Sequence, residues 1–139
     1  MQGVPARTTG LETNQNTGRE DDAMKVVKYK EIEPVRMDNE VARGVAGRVL
    51  IGAKDGAERF CMRIFELSPG GHTPKHTHDW EHEIFVHAGK GEVFIDGRWH
   101  GVEGGTAVFV PPGTGHQVRN AGEDPLVFVC LIPAGPPEM

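Results

Sequence analysis

Residues 75–82, KHTHDWEH, place three histidines within eight positions. Neutral imidazole is a common ligand for divalent metals, so this cluster favours a metal site over a solvated polar turn. In a strand His76 and His78 share one face, but His82 would lie ~13 Å from His78, too far to share a metal. A turn at residues 79–81 solves this, because His82 then opens the next strand and folds back beside His78.

A fourth ligand must come from another part of the chain. His116 follows a strand candidate and a Pro-Gly turn, and it begins the next strand candidate. That placement predicts an inward-pointing side chain across from His82. Along the strand that His82 opens, Ile84 and Val86 share its face, which predicts a metal ligand followed by aliphatic side chains along a barrel lumen.

These side chains require many short strands to position them. The chain contains 19 Gly and 10 Pro, which favours turns over a helical bundle. Asp96-Gly97, between FI and RW, is typical of a two-residue hairpin turn. The strand candidates are 43–53, 58–67, 82–88, 91–96, 98–102, 106–111, 116–120 and 126–132. This spacing predicts an all-β single domain, either a sandwich or a barrel.

The two histidine regions resemble the two motifs of the cupin superfamily. The first motif matches Gly70, five residues, His76-x-His78, three residues, His82, six residues and Gly89. The second matches Gly105, five residues, Pro111-x-Gly113, two residues, His116, three residues and Asn120. One position departs from the family pattern, because His82 stands where glutamate is usual. The alternative that His82 is not a ligand therefore stays open.

The stretches Arg48–Gly52, Asp79–Val86 and Cys130–Pro133 are further similar to small bacterial four-histidine cupins that bind manganese. The resemblance covers roughly residues 25–133 and implies a double-stranded β-helix, or jelly-roll, barrel. It implies one divalent metal per chain held by His76, His78, His82 and His116. Manganese is favoured by the resemblance alone, because imidazole ligands suit Fe, Cu, Zn and Ni as well.

The resemblance implies an enzyme acting on a small organic substrate, with an oxygen-dependent, dioxygenase-like oxidoreductase as the leading hypothesis. A metal-dependent isomerase, lyase or cyclase is the redox-silent alternative, and a non-enzymatic metal or small-molecule binding module is another. Cupins of this size commonly form homodimers, so we expect a homodimer, with a strand near residues 26–32 as a candidate to pair with a partner's sheet edge.

Composition excludes several other classes of function. The net charge is −5 and the basic residues form no runs, so we expect neither nucleic acid nor a membrane as partner. No apolar run approaches the about 20 residues that span a bilayer, and a cytoplasmic location is the default expectation. Residues 1–23 are read as a disordered leader or tag remnant, and residues 24–139 as the barrel domain. Cys61 and Cys130 are expected to be buried free thiols.

The sequence also predicts what surrounds the metal. Glu81 and Glu83 are candidate acceptors for the second ring nitrogens of the ligands. Pro111, Gly113 and Asn120 are expected to serve turn structure rather than chemistry. The candidate residues for an apolar lumen are Met62, Ile64, Trp80, Ile84, Phe94, Phe109 and Phe128.

Overall fold

Within residues 24–139, alternating apolar residues separated by glycine and proline turns form nine strands in a curled antiparallel sheet. The structure is a computed structural model that describes residues 24–139. The leader assigned to residues 1–23 lies outside the described residues, so that boundary stays a prediction. The strands are β1 (Val35–Met37), β2 (Arg43–Ile51), β3 (Phe60–His72), β4 (His82–Ala88), β5 (Lys90–Ile95), β6 (Arg98–Glu103), β7 (Ala107–Val110), β8 (His116–Arg119) and β9 (Leu126–Pro133).

The sheet order is β6-β5-β8-β3-β9-β4-β7, with β2 also paired to β3 and β1 paired to β2. The long strand β3 joins two parts of this sheet. Over residues 60–67 it pairs with β9, and at His72 it pairs with Arg119 of β8. The curled sheet confirms the all-β jelly-roll fold expected from the sequence.

The strand that carries His82 has the predicted inward and outward faces. His82, Ile84 and Val86 are buried, whereas Glu83 and Phe85 are exposed. This alternation follows from the period of two along a strand with one face on the core. The inward set packs with residues of β3 and β9 in one core cluster.

The predicted hairpin turn at Asp96-Gly97 is present. Ile95 pairs with Arg98, and the two turn residues have φ values of 53° and 79°. Both values lie in the left-handed region that a type I′ turn requires, and this is why aspartate and glycine occupy the positions.

The predicted strand over residues 26–32 is wrong. Residues 29–31 form a short 3-10 helix, and the backbone around them carries no sheet pairing. The reason is a docking contact: the carbonyl of Ile32 accepts a hydrogen bond from Arg48 Nε at 2.7 Å. The ring of Tyr29 also lies 5.6 Å from the Arg48 guanidinium. The segment therefore covers the outer face of β2.

Asn120, Pro111 and Gly113 behave as turn residues, as expected. The buried Asn120 amide donates to the carbonyls of Leu67 and Asp124 at 2.9 and 2.8 Å, and its oxygen accepts from Gly122 N–H. Gly113 has φ 77° and its N–H donates to His78 O at 2.7 Å. Asn120 thus closes the loop before β9, and Gly113 ties the two histidine loops together.

Across residues 24–139, no helix has the length and apolar character needed to cross a membrane.

Candidate metal centre

Four histidines meet at one end of the barrel. One ring nitrogen from each of His76, His78, His82 and His116 lies within 4.8 Å of the others. His82 and His116 are buried, at 7% and 5% exposure, whereas His78 is partly exposed and His76 is exposed. The cluster therefore has two candidate ligands that are buried in the core and two that lie on the solvent side.

Backbone pairing fixes these positions. His76 and His116 exchange two backbone hydrogen bonds, of 3.1 and 3.0 Å, as an isolated antiparallel bridge. His82 opens β4 after the turn at residues 79–81, as predicted, and pairs with Val110 of β7. The three-residue turn brings the His78 and His82 rings to a centroid distance of 4.4 Å.

The second ring nitrogens show which atoms are free to bind a metal. His78 Nδ1 lies 3.1 Å from the Trp80 carbonyl, and His116 Nδ1 lies 2.9 Å from the Thr114 carbonyl. A carbonyl oxygen only accepts, so each Nδ1 carries the proton and each Nε2 carries a lone pair.

The Nε2 atoms have few hydrogen-bond partners among the described residues. His116 Nε2 is buried without a hydrogen-bond partner among the described residues. His78 Nε2 and His82 Nε2 approach to 2.6 Å. The donor in that contact depends on the His82 tautomer. Four imidazole nitrogens within 4.8 Å of one another match the donor set of a metal ion, so these residues fit the expected divalent metal.

The electrostatics of the cluster favour neutral rings. Burial lowers the pKa of His82 to about 3, with neighbouring imidazoles adding to the effect. Although the His76 residue is exposed, desolvation of its ring against the other imidazoles lowers its pKa to about 4. Burial also lowers the pKa of His116, against the opposing hydrogen bond to Thr114. A metal binds the neutral imidazole, so these shifts keep the ligands in the binding form near neutral pH.

The expectation that Glu81 and Glu83 accept from the ligand rings is wrong. Both carboxylates belong to exposed residues, and Glu83 points outward because it alternates with His82. A hydrogen bond from Glu81, with burial, raises the Glu83 pKa, so the two acids interact with each other. The acceptors are instead the Trp80 and Thr114 carbonyls, and the neighbour of His82 Nδ1 is Cys130 Sγ at 2.9 Å.

A mostly apolar cavity of about 320 Å³ lies beneath the cluster. Of the predicted lumen residues, Ile84 and Phe128 line it. Phe109 is 55% exposed on the outer face, and Trp80 stacks on His78 at 4.3 Å. The cavity is lined by Met37, Val45, Arg63, Phe65, Thr73, Pro74, His76, His82, Ile84, His116, Val118, Phe128, Cys130 and Met139.

Three further lumen predictions are also corrected. Met62 and Ile64 lie on the outer side of β3, and Arg63 and Phe65 take the inner side. Phe94 is half-buried outside the cavity, where the centroid of its ring lies 5.3 Å from that of Trp99. Both faces of β3 are covered, so the alternation along this strand does not identify the inner one.

Sequence reasoning missed Arg63 and the role of Cys130. Arg63 Nη2 lies 3.1 Å from Cys130 Sγ and 3.5 Å from His82 Nδ1. A signal was present, because Arg63 is a charged residue within the apolar run FCMRIF. Cys61 and Cys130 are buried free thiols, as expected.

Comparisons with known proteins agree with this geometry. The Cupin domain family matches residues 63–132. The structure of the polyketide cyclase RemF from Streptomyces resistomycificus is 35% identical, with a TM-score of 0.76 and 83% of each chain covered. Polyketide synthase CurC of Streptomyces cyaneus is 30% identical over 114 residues, which are 81% of this chain and 71% of that protein.

Other relatives are named for other activities. The oxalate-binding protein of Thermotoga maritima is 30% identical over 77% of this chain and 92% of its own length. The chain spans only 47% of 1-methylthio-D-xylulose 5-phosphate methylsulfurylase from Rhodospirillum rubrum, at 29% identity. The family match and the shared barrel show that this chain belongs to the cupin domain family.

Proposed function

We propose that this cupin is a metal-dependent enzyme that holds one divalent ion through His76, His78, His82 and His116 and cyclises or isomerises a small enolisable or phenolic compound. The observation that carries the proposal is the convergence of four histidine ring nitrogens above an apolar cavity. The similarity to a polyketide cyclase supports the cyclase class. When bound, the metal would supply Lewis acidity that polarises a substrate oxygen.

The residues of this chain would orient and shield the substrate. Four protein ligands leave two positions free on a six-coordinate ion, which suits two oxygen atoms of one substrate. The apolar walls formed by Phe65, Ile84 and Phe128 would hold a flat carbon skeleton and exclude water. Because all four ligands are neutral, the ion keeps its full charge, which favours anionic oxygen donors.

Oxygen-dependent oxidation is the second candidate function. The lining of the cavity includes no aspartate or glutamate side chain among the described residues, so no carboxylate side chain is placed as a general base. A reaction that needs no protein base fits that lining better than one that needs repeated proton transfer. The ion used in the cell stays open: the resemblance favours manganese, and the imidazole donor set also suits Fe, Cu, Zn and Ni.

Turnover with and without oxygen distinguishes these candidates. Protein loaded separately with Zn, Mn or Fe would be incubated with β-dicarbonyl and phenolic compounds, with mass spectrometry of products and an oxygen electrode. Product formed anaerobically supports the cyclase or isomerase, and product formed only with oxygen consumption supports the oxidoreductase. Ligand binding without turnover for any metal would favour a binding module. His116→Ala should abolish turnover, and His100→Ala, at an exposed histidine, should not.

We also propose a cytoplasmic homodimer. The predicted edge strand near residues 26–32 is not formed, so it no longer supports pairing. Phe85 and Phe109 lie on the neighbouring strands β4 and β7 and are 50% and 55% exposed on the outer face. An apolar contact there would bury both rings. A monomer in light scattering at micromolar concentration would contradict the dimer.

A further inference from the structure

Arg63 is a buried cation in the wall of the cavity. It lies on the inner face of β3 and is 8% exposed. Its inner-face neighbours along the strand are Cys61 and Phe65, both buried. A charged side chain at this depth normally has a carboxylate partner.

The contacts of Arg63 do not supply that partner. Its guanidinium lies near the Glu138 backbone carbonyl at 3.3 Å, Cys130 Sγ at 3.1 Å and His82 Nδ1 at 3.5 Å. It also packs 5.0 Å from the Phe65 ring. Among residues 24–139, Arg63 forms no ion pair, and its Nε is buried without a hydrogen-bond partner.

A buried charge without a counter-ion destabilises a fold, and even complete buried ion pairs can often be replaced by apolar side chains without loss of stability. Packing is therefore a poor explanation for an arginine at position 63. The guanidinium presents a planar fork of donors that matches a carboxylate. The cavity that it lines also holds the metal ligands, so an anion entering it would meet positive charge on two sides.

We propose that Arg63 is a specificity-determining residue that binds a carboxylate of the substrate, while the metal site binds a second oxygen-bearing group. This inference rests on the proposed function and narrows its substrate class to carboxylate-bearing enols or phenols. The two anchor points are separate, because Arg63 approaches His82 from the Nδ1 side and the convergent nitrogens are Nε2. The apolar walls between the anchors hold the carbon skeleton.

The test uses pairs of ligands that differ only in charge. The zinc-loaded protein would be titrated calorimetrically with 2,3- and 3,4-dihydroxybenzoate and with the methyl ester of each. Each acid and its ester present the same two phenolic oxygens. We expect at least one acid to bind about 10-fold or more tightly than its ester, as for a charge-assisted hydrogen bond. Arg63→Met should reduce that acid-to-ester ratio by about tenfold.

A matched control comes from the neighbouring strand. Arg48 is also 8% exposed, but it lies on the outer face and pairs with Glu66. Arg48→Met should leave the ratio unchanged. Arg63→Lys keeps the charge without the fork and should give an intermediate ratio. This second variant keeps the test valid even if Arg63→Met folds poorly.

The outcomes separate this inference from the proposed function. Loss of ester binding when the zinc is removed tests the metal anchor. Turnover, measured separately, tests the proposed enzymatic activity. The acid-to-ester ratio tests Arg63 alone. A ratio near one in the native protein, a ratio unchanged in Arg63→Met, or failure of both acids to bind would each overturn the assignment.

Discussion

Arg48 and Arg63 form a natural comparison between the two faces of one sheet. They lie on adjacent strands, each is 8% exposed, and they point in opposite directions. On the outer face, Arg48 Nη1 donates to Glu66 at 2.7 Å and its Nε donates to the Ile32 carbonyl. On the inner face, Arg63 contacts only neutral groups among the described residues.

This difference distinguishes an arginine that stabilises the fold from one that is available to bind a ligand. The outer arginine is compensated and holds the segment at residues 29–32 on β2. The inner arginine is left uncompensated next to a cluster of neutral histidines, in which His116 Nε2 is also buried without a partner. A protein keeps unpaired buried polar groups mainly where a ligand completes them. The inner end of the barrel therefore has buried polar groups that the proposed metal and substrate carboxylate would complete.

The largest expected effect is a pH dependence of stability that arises at His82 on the inner face. In metal-free protein the His82 pKa falls from 6.5 to about 3, so the unfolded state takes up a proton below pH 6.5 that the native state does not. Stability is therefore full above that pH and falls on acidification. We expect a loss of roughly 3 kcal/mol between pH 7 and 4 from His82. Urea unfolding at several pH values measures it.

His82→Leu is the control for this prediction. The leucine cannot titrate, so its stability should fall less steeply over the same pH range. Equal slopes for the native protein and the variant would show that His82 is not held neutral by the inner face.

Replacing each arginine by methionine tests directly whether the two arginines contribute differently to stability. Arg48→Met leaves the Glu66 carboxylate without its partner, and we expect a loss of about 1–3 kcal/mol because Glu66 is partly exposed. Arg63→Met removes an uncompensated charge, so its stability should stay within about 1 kcal/mol of native or increase. Urea unfolding of the metal-free variants measures both. A larger loss for Arg63→Met than for Arg48→Met would contradict the account.

Cys130 tests how the inner face orients a ligand. Its thiol is the group nearest His82 Nδ1, at 2.9 Å. Cys130→Ala should weaken zinc binding about tenfold, because the orientation of the ring is then less well fixed. Competition with a zinc-binding dye measures the affinity. Cys61→Ala removes the other buried thiol, on β3, and should leave the zinc affinity unchanged. Similar losses of zinc affinity in the two variants would indicate a general packing effect.

The smallest expected effect concerns the aromatic cover of the site. The Trp80 ring stacks on His78 at 4.3 Å, almost parallel. Trp80→Leu keeps the backbone carbonyl that accepts from His78, so zinc affinity should fall only about threefold. The control is Trp99→Leu on β6, where the Trp99 ring packs on Arg119 of β8; this variant should not change the zinc affinity. An unchanged affinity in Trp80→Leu would limit the ring to packing.

Much of the site could be predicted from the sequence because the relevant signals are local. The alternation along β4 fixed the inward face of His82, and the length of the turn before it required a reversal of the chain. The Asp96-Gly97 turn was predictable from backbone sterics. The position of His116 beside His76 depended on the motif resemblance, since the two lie 40 residues apart in the chain.

The rest depends on contacts between distant segments. β3 is covered on both faces, so Arg63 and Ile64 were equally good candidates for the lumen. The docking of residues 29–32 on Arg48 replaced the strand that their apolar pattern favoured. The partner of His82 was missed for a similar reason, because Cys130 reaches Nδ1 only once β9 lies beside β4.

The most direct test of the four-histidine centre is the metal content of the purified, untagged protein beside His82→Ala and His116→Ala. Mass spectrometry should find about one Mn, Fe, Cu, Zn or Ni per native chain, and both variants should lose most of it. No metal in the native protein after incubation with these ions, or full retention in both variants, would contradict the central claim.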